Sequence, residues 1–336
     1  MPTRAAPGLS RVVATGAVIR LPGAAMSDSR IILCPGQGAQ VVGMGSAWAR
    51  ACPEARAVFD QADAILGRSL GEPISTLCFQ GPADRLNRTD VAQPAILVAS
   101  VACWRGLLSR WGLGKGEADL AAAGGLSLGE YTALHVAGAI AFEDALRLVA
   151  LRGRAMQEAA EAVESGMVAL IGADEDRDLE VCESARRDGV LVCANFNAPG
   201  QVVLSGDAGA CARAIEQAQK LGLRAQSLPV AGAFHSPLME PAARRLDEAL
   251  AGTDIRPPRC PVVSNVTGQP HEASAEQIRR RLVEQLGAPV RWARCMHWMA
   301  SITGGSFHEL APGRTLAGLA RRIDRSIKVS THDAPE

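Results

Sequence analysis

"ADLAAAGGLSLGEYTAL" occupies residues 118–134, and how its middle is read decides the fold. The first seven residues suit a strand of small side chains, and residues 128–138 suit a helix. Between them stands Gly-x-Ser-x-Gly centred on Ser127. One reading is a nucleophile elbow, a sharp strand-to-helix turn that holds a serine hydroxyl exposed. The other is an ordinary helix start bounded by glycines. With glycine at 34 of 336 positions, the pattern arises by chance in roughly one such chain in five, so its surroundings must decide.

Working outward, strand and helix patterns alternate. "RIILC" (30–34) reads as a buried strand ending in the turn "PGQGAQ". Helical patterns follow over 44–66 and from Asp90 to Trp111, then over 142–162. That alternation predicts an α/β fold with a mainly parallel sheet. After Ser165 the texture changes. Strands at 166–173, 190–197, 201–206 and 223–228 and helices at 174–187 and 207–220 give a β-α-β-β-α-β order, the ferredoxin-like unit. Helices at 239–252, 274–286 and 291–301 return to the larger body. The expected organisation is an α/β-hydrolase-like large subdomain (29–164 and 230–325) carrying a ferredoxin-like small subdomain (165–229), with a cleft between them. Residues 326–336 read as a polar tail.

Composition narrows the function classes. Thirty-five basic and 35 acidic residues give a formal net charge of zero, which disfavours a nucleic-acid binder or a polybasic membrane anchor. No apolar stretch is read as approaching the roughly 20 residues of a membrane span. The nine cysteines are scattered and contain no C-x-x-C pair, a pattern that suits a reducing cytoplasm and offers no zinc site. Residues 1–28 form an Arg-bearing, acid-poor extension whose first carboxylate is Asp28. It reads as a segment upstream of a start at Met26, or as an organellar targeting segment.

A serine nucleophile needs a base, an orienter for that base and donors for the oxyanion. Of six histidines, His135 lies too far along its helix and His332 falls in the tail. His235, in "VAGAFHSPLMEP", occupies a Gly/Pro-bounded loop where catalytic residues commonly sit; the competing reading is a solvated loop residue. No aspartate stands out as a third triad member.

Eight blocks then occur in order: "PGQGAQ" (35–40), "TDVAQPAI" (89–96), "GLSLGEYTAL" (125–134), "LRGRAMQEA" (151–159), "NFNAPGQVVLSG" (195–206), "GAFHSPLMEPA" (232–242), "LVEQLGAPVRW" (282–292) and "APGRTL" (311–316). Together they resemble the malonyl-CoA:acyl-carrier-protein transacylases of fatty-acid synthesis over residues 29–325. The resemblance implies Ser127 as acyl acceptor, His235 as general base and the Gln285 backbone carbonyl as its orienter. It implies the Gln37 and Leu128 amides as oxyanion donors, and Arg152 as the group that binds the malonyl carboxylate. Gln93, Asn195, Asn197 and Phe234 match positions lining that site, and Arg321 and Arg322 match a basic pair that docks the carrier protein. The implied substrate is malonyl-CoA and the implied partner acyl carrier protein, with no cofactor or metal, no nucleic acid or membrane, and a monomeric chain.

Bland readings stand beside several of these. Arg152 could pair along its helix with Glu143 or Glu158. The asparagines could be turn residues, Phe234 core packing, and Arg321/Arg322 a solvated helix face. Leu126 departs from the histidine that many family members carry before the nucleophile, which bears on substrate selection. A serine esterase or thioesterase of the α/β-hydrolase type, which places an acid between Ser and His, is the alternative enzyme. A polyketide-type acyltransferase and a catalytically silent scaffold are the others.

Overall fold

The computed structural model describes residues 29–335 except 115, 173 and 174; the 1–28 extension lies outside the described residues. Nine strands occur among them: β1 (Arg30–Cys34), β2 (Leu120–Gly125), β3 (Ser165–Ile171), β4 (Leu191–Ala198), β5 (Gln201–Asp207), β6 (Arg224–Ser227), β7 (Val262–Val263), β8 (Ser306–Leu310) and β9 (Val329–His332).

Five of them form a wholly parallel sheet in the order β7-β2-β1-β8-β9. Every residue of β1 is buried, as a central parallel strand covered on both faces requires. Two apolar cores flank this sheet. One includes Ile32, Ala123 and the helices Pro53–Leu66, Thr89–Arg110 and Phe142–Glu161; the other includes Ile31, Leu33, Trp292 and Met299. The remaining four strands make an antiparallel sheet in the order β4-β5-β3-β6, with the helices Glu175–Arg186 and Ala208–Lys220 packed on it around a third core. The molecule is therefore α/β, with a parallel sheet joined to a ferredoxin-like antiparallel one.

The register of the parallel sheet sets the site. Cys34 stands opposite Gly125 at the carboxyl ends of β1 and β2, so "PGQGAQ" and the Ser127 turn leave the sheet side by side. Ligands of open α/β sheets bind at that end of the strands.

Three expectations change. The 44–66 helix is two, Ser46–Ala51 and Pro53–Leu66, because proline at 53 denies the first helix a continuing amide and starts the second. One apolar stretch does reach membrane-spanning length: Thr89–Arg110, 22 residues, has a mean hydropathy of 1.5 over its most apolar window, and 94% of that window is buried in the protein. A helix apolar on all sides is what the centre of a large core calls for. Finally, residues 329–332 are no loose tail. They pair with β8 as the edge strand β9, and the Trp48 indole donates to the His332 carbonyl at 2.8 Å.

Candidate active site

The turn after β2 is built around missing side chains. A Cβ at position 125 would lie 2.0 Å from the Gly129 carbonyl carbon, and one at 129 would lie 2.1 Å from the Cys34 carbonyl oxygen. Both glycines are thus demanded by close backbone approach. Between them Ser127 adopts φ 52°, a left-handed conformation that costs a non-glycine residue energy and that persists only where its surroundings enforce it. His235, in the loop that re-enters the large sheet's layer, has φ 59°.

These two residues meet. The Ser127 hydroxyl lies 2.8 Å from His235 Nε2, and His235 Nδ1 lies 2.8 Å from the Gln285 backbone oxygen. A carbonyl can only accept, so Nδ1 carries the proton and Nε2 is left to take one from serine. His235 is 4% exposed. Burial, reinforced by the nearby Arg152 charge and opposed by the Gln285 carbonyl, lowers its pKa to about 4. The imidazole is therefore neutral at physiological pH.

Arg152 projects from the helix Phe142–Glu161 and is 1% exposed. It makes neither helix-face pair that periodicity offers: Glu143 bonds Arg147, and Glu158 bonds Arg245. Instead its guanidinium donates to Gln93 Oε1 (2.5 Å), to the Ser127 hydroxyl (3.0 Å) and to Gln285 Oε1 (3.0 Å). Among the described residues, no carboxylate lies within salt-bridge distance of it, and its Nε has no partner. A buried cation served only by neutral groups retains capacity to pair with an anion.

Gln37, Leu126, Ser127, Leu128, Arg152, Asn195, Asn197, Phe234 and His235 line one cleft of about 620 Å³, with Met156, Met167, Val203, Leu228 and Val230 supplying much of its apolar wall. It runs between the two sheets' layers, and the Gln37 and Leu128 amides have no acceptor among the described residues. Gln93 and Gln285 stand behind this lining as partners of Arg152. Arg321 and Arg322 lie apart from it, exposed on the helix Thr315–Ile323, with Arg322 donating to Gln201 at 3.3 Å.

Sequence reasoning missed a second layer. Asn265 accepts from the Ser127 amide at 2.6 Å and donates to the Gly125 carbonyl at 2.8 Å, pinning both sides of the turn. Glu130, fully buried, accepts from the Asn265 amide (3.0 Å), from Gln285 Nε2 (2.7 Å) and from His271 Nε2 (2.7 Å). A signal existed, since Ser127-x-x-Glu130 has capping-box spacing, in which Glu reaches back to the serine amide. Here Asn265 takes that amide and Glu130 supports Asn265 instead. Nothing in the sequence announces a partner 135 residues away.

An elbow serine, a histidine base and a buried guanidinium at the rim of a parallel sheet define a serine acyl transferase. The acyl transferase domain family matches residues 31–322. Malonyl CoA-acyl carrier protein transacylase of Bacillus subtilis (strain 168) is 40% identical over 306 residues, covering 90% of this chain and 93% of that protein. The crystal structure of malonyl-CoA:acyl carrier protein transacylase from Xanthomonas oryzae pv. oryzae superposes with a TM-score of 0.84 at 41% identity, covering 92% of this chain and 95% of that one. A malonyl-transacylase solved in complex with its type II polyketide acyl-carrier protein gives 0.85 at 38% identity, covering 91% and 96%. The chain belongs to the acyl transferase domain family and, within it, to the malonyl-CoA:acyl-carrier-protein transacylases.

Proposed function

We propose that this enzyme moves a malonyl group from malonyl-CoA to the phosphopantetheine thiol of acyl carrier protein, through a malonyl ester on Ser127, and so supplies chain elongation in fatty-acid synthesis. The observation that carries this reading is the shared hydroxyl. Ser127 Oγ faces its base at 2.8 Å and a buried guanidinium at 3.0 Å, so an acyl group attached there has a carboxylate receptor beside it.

The steps balance with this chain's own groups. His235 Nε2 takes the Ser127 proton as Oγ attacks the thioester carbonyl, and the Gln37 and Leu128 amides receive the oxyanion. Collapse of the tetrahedral adduct breaks the C–S bond, and the imidazolium returns its proton to the CoA sulfur. The carrier's thiol then gives its proton to His235, attacks the ester, and Ser127 recovers its hydrogen. No metal or redox step enters this scheme.

Arg152 supplies selectivity. A bidentate grip on the free carboxylate orients malonyl, whereas acetyl leaves the cation unpaired. Phe234, Asn195 and Asn197 shape the cleft around the acyl group, and the apolar walls disfavour water as a competing acceptor. The carbonyl behind His235 differs from the acid that an esterase of the α/β-hydrolase type places there. Arg321 and Arg322 offer a basic patch for an acidic carrier protein. The nine free buried thiols support a cytoplasmic setting.

Intact-mass analysis after exposure to malonyl-CoA tests the proposal. Wild type should gain one malonyl group and pass it to carrier protein, while Ser127→Ala gains nothing. Turnover to free malonate with no transfer would make the protein a hydrolase and end this reading.

A further inference from the structure

Arg152 raises an electrostatic problem that its own contacts do not solve. It is 1% exposed, and its hydrogen-bond acceptors are a hydroxyl and two amide oxygens. A buried charge demands compensation. A carboxylate touching it would provide that but would also occupy the receptor.

Gln285 resolves the conflict by standing between opposite charges. Its Oε1 accepts from the Arg152 guanidinium at 3.0 Å, while its Nε2 donates to Glu130 Oε2 at 2.7 Å. The amide dipole is thus aligned with its negative end on the cation and its positive end on the anion. Glu130 is fully buried, and its other bonds come from the Asn265 amide and from His271 Nε2. His271 Nδ1 has no partner among the described residues. A neutral ring protonated on Nε2 satisfies Glu130 without leaving a buried N–H unpaired. Glu130 is then the negative member of a separated pair: burial lowers the Arg152 pKa, and Tyr131 and, after it, the field of Glu130 oppose that lowering.

We propose that Glu130 is a positioning residue that acts through the Gln285 amide as the remote counter-charge of Arg152, moderating how tightly the site holds a substrate carboxylate. It never touches the acyl group. Its charge stabilises the unliganded guanidinium and weakens the hold on the incoming anion by the same interaction. The inference rests on the reading of Arg152 as the carboxylate receptor.

Glu130→Gln removes the charge while keeping an oxygen for the Asn265 and Gln285 donors. The His271 tautomer can invert to accept from the new amide. If Glu130 is the counter-charge, malonate, used as a competitive inhibitor, binds Glu130→Gln more tightly, with Ki lower by roughly three- to tenfold. The KM for malonyl-CoA falls with it, and the KM for acetyl-CoA does not. A merely structural role predicts the reverse, a Ki and both KM values that rise or stay unchanged, and that result overturns the inference.

Where Glu130→Gln is too unstable for kinetics, its melting temperature is followed with added malonate. A rise larger than in wild type supports the proposal, because the ligand supplies the missing charge. An equal or smaller rise, or failure to fold with malonate present, overturns it. Arg152→Ala separates the two readings. If it leaves malonate affinity unchanged, the receptor reading itself has failed; if it abolishes that affinity and Glu130→Gln shows no gain, only the counter-charge has failed.

Discussion

Arg152 donates to the Ser127 hydroxyl at 3.0 Å, so the nucleophile and the group that would read the substrate's far end are in direct contact. The serine oxygen accepts from a guanidinium while it donates to His235. An acyl ester on that oxygen would leave this guanidinium N–H available to another acceptor. The serine hydroxyl, the imidazole and the buried guanidinium thus occupy one hydrogen-bonding cluster.

Arg152→Ala should lower kcat/KM for malonyl-CoA far more than for acetyl-CoA. Truncating one partner of a desolvated charge pair costs about 2–5 kcal/mol, so a loss of roughly 30- to 4,000-fold is expected for malonyl. Competition kinetics with the two thioesters measures the ratio. Equal losses for both would remove Arg152 as the selectivity determinant.

Asn265→Ala strands a partly buried amide on Ser127 and a buried carbonyl on Gly125. Each unsatisfied group costs about 1–3 kcal/mol, and Ser127 at φ 52° loses its brace. The melting temperature should fall, and kcat should drop roughly ten- to a hundredfold through misplacement of the hydroxyl, with KM little changed. Wild-type kcat in this variant would show that the turn holds its own shape.

Gly125→Ala should abolish the folded elbow and any acyl labelling, since its Cβ would stand 2.0 Å from backbone. Gly318→Ala is the control, exposed in the helix Thr315–Ile323 with nothing within 4 Å of the added methyl. It should gain about 0.5–1 kcal/mol of stability from helix propensity. Chemical denaturation of the two variants should give changes of opposite sign.

The acid limb of kcat/KM should lie near the depressed His235 value of about 4, well below the ordinary imidazole value of about 6.5. Bound substrate carboxylate offsets the Arg152 charge, one of the causes of that depression, so the limb of kcat should sit at higher pH than that of kcat/KM. The same shift feeds stability with a definite sign. The unfolded imidazole binds a proton that the folded one refuses, so the contribution is complete above about pH 6.5 and is lost as pH falls toward 4. Identical limbs for the two parameters would remove Arg152 from the picture of His235 titration.

Arg321→Glu combined with Arg322→Glu should slow transfer to carrier protein while leaving malonylation of Ser127 by malonyl-CoA intact. Both side chains are exposed and stand outside the cleft lining. Single-turnover acylation and carrier transfer, measured separately, distinguish docking from a solvated helix face. An unaltered transfer rate assigns the pair to the latter.

Much of the fold was legible because it rests on local rules. Buried runs such as "RIILC" and the change of period after Ser165 specify strands and helices through backbone sterics and side-chain alternation. The turns that carry Ser127 and His235 were legible for the same reason, from the glycines and prolines that flank them, but local rules left the roles of both residues open and only the family resemblance paired them. Trp48 anchoring β9 was not, because a polar edge strand carries almost no hydrophobic signal and gains its order from a neighbour already in place.

The sequence by itself determined most of the elements, though not the edge strand β9, and which side chains could do chemistry, since those properties belong to a residue and its immediate neighbours. Only the tertiary structure decided that Arg152 forgoes Glu143 and Glu158 for Gln93, Ser127 and Gln285, and that Gln285 links it to Glu130. Burial made those choices. On a solvated helix an arginine takes the nearest carboxylate, but in a closed interior every polar atom must find a partner among the groups that packing brings within reach, however far apart they stand along the chain.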